Sequence, residues 1–140
     1  MHTFVTTLEW KGGERIVQSA EGRPPIEVSS PPVFGGEAGR WTPEDLLVAA
    51  VESCVLLTTL YFVQKNRIGL TAWSSRCAGD MAKTSEGLRF QQIELAITAR
   101  VAAADDVEKL RKAVALAEKF CPLSAAVKFP VVVKLEVAAP

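Results

Sequence analysis

The chain has 140 residues, of which 49% are hydrophobic, and its 16 lysines and arginines balance its 16 acidic residues. This length predicts a single domain over residues 1–140, and the hydrophobic fraction excludes a disordered chain. The balanced charge gives no electrostatic basis for binding nucleic acid or an anionic membrane surface. The start of the chain has no basic segment followed by an apolar stretch, so we expect no signal peptide and a cytoplasmic protein.

The first third of the chain predicts three antiparallel strands. The segments 2–10, 14–20 and 25–30 are rich in β-branched and aromatic residues and are separated by glycine-containing turns. Residues 31–40, PPVFGGEAGR, follow them. Two prolines and three glycines in this segment predict a loop without regular structure.

Residues 42–67 predict a long helix. Thr42 is a plausible N-cap and Pro43 fits the first helical position, while Glu44 and Asp45 place negative charge in the first turn. The residues that follow are apolar on nearly every side of the helix. Such a helix is either buried on most sides or spans a membrane.

We favour burial in a soluble protein for this helix. Glu52 would lie near the middle of a membrane span, where a carboxylate costs about 2.5–3.5 kcal/mol. Strands are also predicted on both sides of the segment. One modest sheet cannot cover the whole helix, so we expect no membrane association and an obligate homodimer in which a second copy covers the rest.

The remaining elements complete an α+β pattern. Residues 70–82 and 88–102 predict strands joined by a hairpin loop, residues 105–120 predict an amphipathic helix, and residues 130–137 predict a final strand. The predicted order is therefore β-β-β-α-β-β-α-β. A short helix over PLSAAV, starting at Pro122, precedes the last strand.

The chain has three cysteines and one histidine, with no CxxC or HxxxH spacing. An odd number of cysteines without a secretory signal predicts reduced thiols and argues against a disulfide framework. A zinc site needs more sulfur or nitrogen ligands at short spacing. We expect no metal and no bound cofactor.

The three cysteines differ in their predicted surroundings. Cys77 lies in a strand and is most simply a small buried hydrophobe. Cys54 lies in the middle of the long helix, where apolar surroundings would raise its pKa unless a cation or hydrogen-bond donor is near. Cys121 precedes Pro122, which places it at the N-cap of the short helix, where backbone N–H groups favour a thiolate. The residues alone therefore favour Cys121 as the more reactive of the two, and they leave open with equal weight that Cys121 is a packing residue that ends the helix.

Two motifs carry a resemblance to a known family. TPEDLLVAAVESC places Glu44 ten residues before Cys54, and CPLS places Cys121 before Pro122 and Ser124. This combination resembles the OsmC/Ohr family of thiol-dependent hydroperoxide reductases. The FGG loop at residues 34–36, a tryptophan near the end of the first strand and the order of elements also agree with that family.

The resemblance implies an OsmC-like fold, an intertwined homodimer and a two-cysteine peroxidase. Cys54 would attack the peroxide as a thiolate and become a sulfenic acid, which Cys121 would resolve as a disulfide. An external thiol would reduce that disulfide. This assignment gives the attack to Cys54, whereas the residues alone favour Cys121 as the more acidic thiol.

The resemblance also implies a glutamate and an arginine beside the attacking cysteine. The glutamate corresponds to Glu44. Arg15 is the best match for the arginine and Arg23 is the rival match. Val55 stands where better-known members carry phenylalanine. This difference affects the expected strength of the peroxidase activity and the expected preference for a bulky organic peroxide.

Glu44 lies about 15 Å from Cys54 along a straight helix. A glutamate side chain cannot span that distance within its own chain. We therefore predict a shared site, in which Glu44 of one chain approaches Cys54 of the other and pairs with the early-strand arginine.

A second function from a different class fits the same sequence. The protein could bind a small hydrophobic ligand in an apolar cleft of the dimer without catalysis, with the thiols incidental. Loss of free thiol on exposure to peroxide distinguishes the two hypotheses.

Overall fold

Six strands and two longer helices follow one another in the predicted order in the computed structural model, which describes all of residues 1–140. The elements are β1 (Thr7–Trp10), β2 (Arg15–Ser19), β3 (Ile26–Ser29), α1 (Pro43–Lys65), β4 (Leu70–Thr84), β5 (Gly87–Val101), α2 (Asp106–Phe120), the short α3 (Pro122–Ala126) and β6 (Val131–Ala138). The chain divides into two units, Met1–Leu47 and Val48–Pro140. The single domain stays a prediction.

The first unit contains an antiparallel sheet in the order β1-β2-β3. The pairing of β1 with β2 begins at Thr7, which lies opposite Ser19. The strand β1 therefore starts later than the predicted strand over residues 2–10. The prediction of a loop without regular structure at residues 31–40 was wrong at one point, because Pro32–Phe34 form a 3-10 turn. Proline favours the first position of such a turn, and Gly35 closes it with a φ of 90°.

The start of α1 confirms the predicted N-cap. The Asp45 N–H donates to Thr42 Oγ1 at 3.0 Å, and the Thr42 N–H donates to Asp45 Oδ2, also at 3.0 Å. Each side chain thus satisfies a backbone N–H that the helix leaves without a partner. The local sequence TPED is sufficient to fix where this helix begins.

The second unit is built on a sheet in the order β4-β5-β6. β4 and β5 form a long antiparallel hairpin, whereas β6 runs parallel to β5. Parallel neighbours need a crossover connection, which α2 and α3 provide. Alternate residues of β5 are buried and form the centre of the core together with residues of α2: Ile93, Leu95, Ile97, Ala99, Val101, Leu110, Ala113 and Val114.

Helix α1 is only partly buried within one chain. Val51, Val55 and Thr59 are its buried residues, whereas Leu57 and Tyr61 are 64% and 60% exposed. One three-stranded sheet offers only one surface, which agrees with the expectation that one sheet cannot cover the whole helix. The predicted second copy that would cover the rest stays a prediction.

By length and composition α1 could also cross a membrane, with a mean hydropathy of 2.1 and 17% of its apolar window buried within the chain. Core helices of soluble proteins meet the same criteria. The expectation of no membrane association therefore stays a prediction.

Candidate thiol site

Cys121 lies at the junction of α2 and α3. Its N–H donates to the Ala117 carbonyl at 2.7 Å, which ends α2, and its extended backbone turns the chain into α3. Pro122 occupies the first turn of α3, and the Ser124 N–H donates to Cys121 Sγ at 3.4 Å. The prediction that Cys121 caps a short helix is confirmed. The Cys121 side chain is completely buried.

The structure brings Cys54 against Cys121. Cys54 packs against the core cluster that includes Cys121, each thiol shifts the pKa of the other, and both are free. Cys54 Sγ lies 3.9 Å from the Thr58 hydroxyl, one turn further along α1. Cys54 is partly exposed, whereas Cys121 is buried.

The two thiols have opposite pKa shifts. Burial raises the pKa of Cys54 above its ordinary value of 9.0, and the neighbouring Cys121 raises it further, against smaller lowering effects of the Leu123 N–H and the Thr58 hydroxyl. Burial also raises the pKa of Cys121. The Ser124 hydroxyl and N–H, Cys54 and the Leu123 N–H together outweigh burial, so the pKa of Cys121 lies below 9.0. These directions agree with the expectation from the residues alone that Cys121 is the more acidic thiol.

The Ser124 hydroxyl belongs to this site as well. Its Oγ is buried without a hydrogen-bond partner, and the hydroxyl is one of the groups that lower the pKa of Cys121. Ser124 was identified from the sequence only as part of a motif. Thr58 was missed, although its position four residues after Cys54 places both on one helix face.

Cys77 has a different environment. Burial and the charge of Glu52 raise the pKa of Cys77 to about 11. Glu52 is in turn held by Ser75, whose hydroxyl donates to Glu52 Oε1 at 2.5 Å. A thiol with so high a pKa stays protonated at neutral pH, which suits the structural role predicted for Cys77.

The predicted arginines lie in the first unit and pair with other groups. Arg15 Nη2 donates to Glu37 Oε2 at 3.0 Å in a forked ion pair, and Arg40 also contacts Glu37. Arg23 donates to the Glu21 carbonyl at 2.8 Å. Within one chain neither Arg15 nor Arg23 pairs with Glu44, and the shared site between two chains stays a prediction.

The register of the first sheet explains why Arg15 meets Glu37. Arg15 is the β2 partner of Ser29 on β3, and the Ser29 hydroxyl accepts the Glu37 N–H at 2.9 Å. Ser29 thus holds the backbone of the glycine-rich loop beside Arg15. The Glu37 carboxylate then lies within reach of the guanidinium.

Glu44, unlike Glu37, has no arginine partner within the chain. Its Oε2 is buried and accepts no hydrogen bond in the chain. A buried carboxylate oxygen normally has at least one donor, so a missing donor at this position needs an explanation. The chain contains no group of three or more His, Cys, Asp or Glu side chains that could hold a metal ion.

This geometry defines a class of protein: an α+β chain with two sheets, in which a cysteine of the long helix α1 lies near a cysteine at the start of α3. The family model for OsmC-like proteins matches residues 35–136, and the chain belongs to that family. No curated protein sequence matches the chain.

Solved structures show the same fold. An OsmC-like protein of unknown function from Vibrio cholerae is 20% identical, with a TM-score of 0.89 over 97% of this chain and 100% of that chain. An organic hydroperoxide resistance protein from Elizabethkingia anophelis is 20% identical, with a TM-score of 0.76 over 100% and 98%. One from Legionella pneumophila is 24% identical, with a TM-score of 0.71 over 99% and 98%. The predicted OsmC-like α+β fold is confirmed.

Proposed function

We propose that this protein is a thiol-dependent peroxidase that reduces organic hydroperoxides through Cys54 and Cys121. The observation that carries the proposal is the contact between these two thiols, one partly exposed and one buried. Their separation in sequence is large, so contact depends on the fold placing α3 against the middle of α1. Family membership and the names of structural neighbours as organic hydroperoxide resistance proteins support the same chemistry.

In this proposal Cys54 attacks the peroxide because it is the partly exposed residue of the pair. The sulfenic acid that forms lies next to Cys121, whose attack closes a disulfide and releases water. An external dithiol then reduces the disulfide by exchange. The cycle uses no metal and no bound cofactor.

We propose in addition that the working form is a homodimer. The exposed apolar residues of α1, Leu57 and Tyr61 among them, are the surface that a second copy would cover. Glu44, with its buried and unpaired oxygen, would find its donor at that interface. Arg15 is the candidate donor. It would break its ion pair with Glu37 and form one with Glu44.

The test is the loss of free thiol from purified, fully reduced protein. Addition of cumene hydroperoxide should consume two of the three free cysteines and leave Cys77, and dithiothreitol should restore both. Peptide mapping should then find Cys54 joined to Cys121. If all three thiols survive an excess of peroxide, the peroxidase proposal fails and the binding-protein hypothesis becomes the better one.

A further inference from the structure

The serine and threonine hydroxyls of α1 differ in their hydrogen bonds. Ser53 and Thr59 each donate to the backbone carbonyl four residues earlier, at 2.7 and 2.8 Å. This is the bond that serine and threonine usually make inside a helix. Thr58 departs from the pattern, because its Oγ1 lies 3.9 Å from Cys54 Sγ and bonds to no backbone carbonyl. The sulfur is therefore the partner that the chain offers to this hydroxyl.

The position of Thr58 on the helix accounts for the contact. Residues four apart lie on one face of a helix, and helical side chains lean toward the N-terminal end. The Thr58 side chain thus lies over the turn that carries Cys54. Both residues are only partly buried, so the hydroxyl and the sulfur meet near the surface of the chain.

The protonation state of Cys54 decides which of the two groups donates. With a neutral thiol, either the S–H or the O–H group can be the donor. A thiolate has no proton, so the Thr58 hydroxyl must then donate. Hydrogen bonds to an ionised acceptor are stronger than those between neutral groups. The contact therefore stabilises the thiolate of Cys54 more than its thiol.

We propose that Thr58 is a positioning residue for the peroxidase reaction, in which its hydroxyl donates to the Cys54 thiolate and orients that sulfur for attack. This inference rests on the proposed function. Thr58 keeps its proton throughout the cycle and acts as neither acid nor base. An arginine from a second chain would act on the same thiolate, and the sulfur has lone pairs for both donors.

The other groups around Cys54 leave room for this role. Burial raises the pKa of Cys54 most and Cys121 raises it further, whereas the Leu123 N–H and the Thr58 hydroxyl lower it. No lysine, arginine or carboxylate of the same chain is among these groups. Glu52 precedes Cys54 by two residues, but its charge acts on Cys77. Within one chain Thr58 is thus the side chain that favours the attacking form of Cys54.

The first experiment measures the pH profile of Cys54 without peroxide. Thr58→Val removes the hydroxyl at nearly constant size, and Thr58→Ser retains it. Both are made in a Cys121→Ser protein, so that Cys54 titrates without a coupled second thiol. Iodoacetamide alkylation of Cys54 is located by mass spectrometry and timed across pH, with circular dichroism to verify folding.

We expect Thr58→Val to move the midpoint of this profile to higher pH, because the thiolate loses a donor. Alkylation at neutral pH should slow by about 2- to 10-fold, the effect of one hydrogen bond of ordinary net strength. Thr58→Ser should recover most of the difference. The matched control is Thr59→Val, which makes the same exchange at a hydroxyl that is bonded to a carbonyl, and it should leave the profile unchanged.

Two results would overturn the inference. One is a profile in Thr58→Val that moves no further than in Thr59→Val. The other is a Thr58→Ser protein as slow as Thr58→Val, since the hydroxyl would then not be the cause.

The second experiment separates the inference from the proposed function. Oxidation of Cys54 by cumene hydroperoxide is followed in a single turnover at neutral pH, in proteins that retain all three cysteines. Thr58→Val should react several-fold more slowly than wild type, at unchanged thermal stability. If Thr58→Val reacts at the wild-type rate, the inference is wrong and the peroxidase function stands. If the peroxide does not oxidise wild type, the proposed function fails, and the part of Thr58 in it fails as well.

Discussion

Ser75 donates a 2.5 Å hydrogen bond to Glu52, and this bond fixes a carboxylate whose charge acts on Cys77. Burial contributes most to the pKa of Cys77, which reaches about 11, and the Glu52 charge adds to it. A thiol whose pKa is raised stays neutral until the pH approaches that value. Cys77 is therefore held in a protonated and unreactive form at neutral pH, although it is not deeply buried.

We expect Cys77→Ser to leave peroxide turnover nearly unchanged and Glu52→Gln to lower the pKa of Cys77. The substitution removes the negative charge that opposes the thiolate, while burial still acts on the thiol. The measurement is the alkylation rate of Cys77 across pH, located by mass spectrometry. Glu94→Gln, a substitution on β5, serves as the control. Rapid alkylation of Cys77 at neutral pH in wild type would contradict the structural role.

Cys54 and Cys121 should form a disulfide on oxidation, with Cα atoms within about 7 Å. Cys54→Ser and Cys121→Ser should each abolish multiple turnover, because one lacks the attacking sulfur and the other the resolving sulfur. The measurement is steady-state consumption of cumene hydroperoxide with dithiothreitol. A disulfide that joins Cys77 to either partner in the oxidised protein would show that the wrong pair was chosen.

The exposed apolar side of α1 predicts a stable dimer. Leu57→Lys and Tyr61→Lys replace side chains that are 64% and 60% exposed in one chain, so neither should unfold the monomer. Each should weaken a dimer, because a charge would be buried at its interface. Light scattering at micromolar concentration measures the outcome. Ala115→Lys, on the exposed side of α2, should leave the mass unchanged, and a monomeric wild type would refute the dimer.

The sequence was sufficient for the order of elements and for local features that short motifs encode. The TPED segment predicted the N-cap of α1, and the CPLS segment predicted that Cys121 caps α3, because both depend on neighbours within a few residues. The buried face of α1 was not predictable in the same way. An apolar helix must be covered, but the sequence does not state how much of the cover comes from its own chain.

The sequence could not predict which side chains pair when they lie far apart in the chain. Arg15 meets Glu37 because the register of β2 against β3 places Ser29 where it can hold the glycine-rich loop. No spacing rule relates these residues. The Leu123 N–H beside Cys54 was likewise not predictable, because it depends on how α3 lies against the cysteine of α1.

Gly79 on β4 marks a close approach that the sequence analysis did not anticipate. A Cβ atom at this position would lie 2.7 Å from Val48 Cγ2 and 2.8 Å from Phe90 Cε1. Gly79→Ala should therefore destabilise the protein by about 1–3 kcal/mol, the usual cost of overpacking. Urea denaturation measures the change, and adding Val48→Ala should recover part of the loss. Unchanged stability in Gly79→Ala would mean that α1 and β4 are less tightly packed than the structure shows.

The last prediction concerns Glu44, whose buried Oε2 has no donor within the chain. Glu44 precedes Cys54 by ten residues, or about 15 Å along a straight helix, which is beyond the reach of a glutamate side chain. A role for Glu44 in the reaction therefore requires two chains. In the proposed dimer Glu44 of one chain would orient an arginine, Arg15 or Arg23, beside Cys54 of the other. The guanidinium would stabilise the Cys54 thiolate and the departing oxygen.

A simpler role for Glu44 is to stabilise the N-terminus of α1 by about 0.3–1 kcal/mol. Subunit exchange separates the two roles. Glu44→Ala and Cys54→Ser dimers should each be nearly inactive if the site is shared. A heterodimer of the two has one site that carries neither substitution, so it should recover about half of the wild-type activity. Mass spectrometry verifies that exchange has occurred.

The same mixture gives no recovery if Glu44 acts within its own chain, since each site then carries one substitution. Confirmed exchange without returning activity would thus refute the shared site. Full activity of Glu44→Ala alone would remove Glu44 from the reaction altogether and leave the helix-terminus role. Glu44→Gln refines the result, because it keeps the size of the side chain and removes its charge. An ion pair with arginine should be weakened in this variant, with activity lost at unchanged thermal stability.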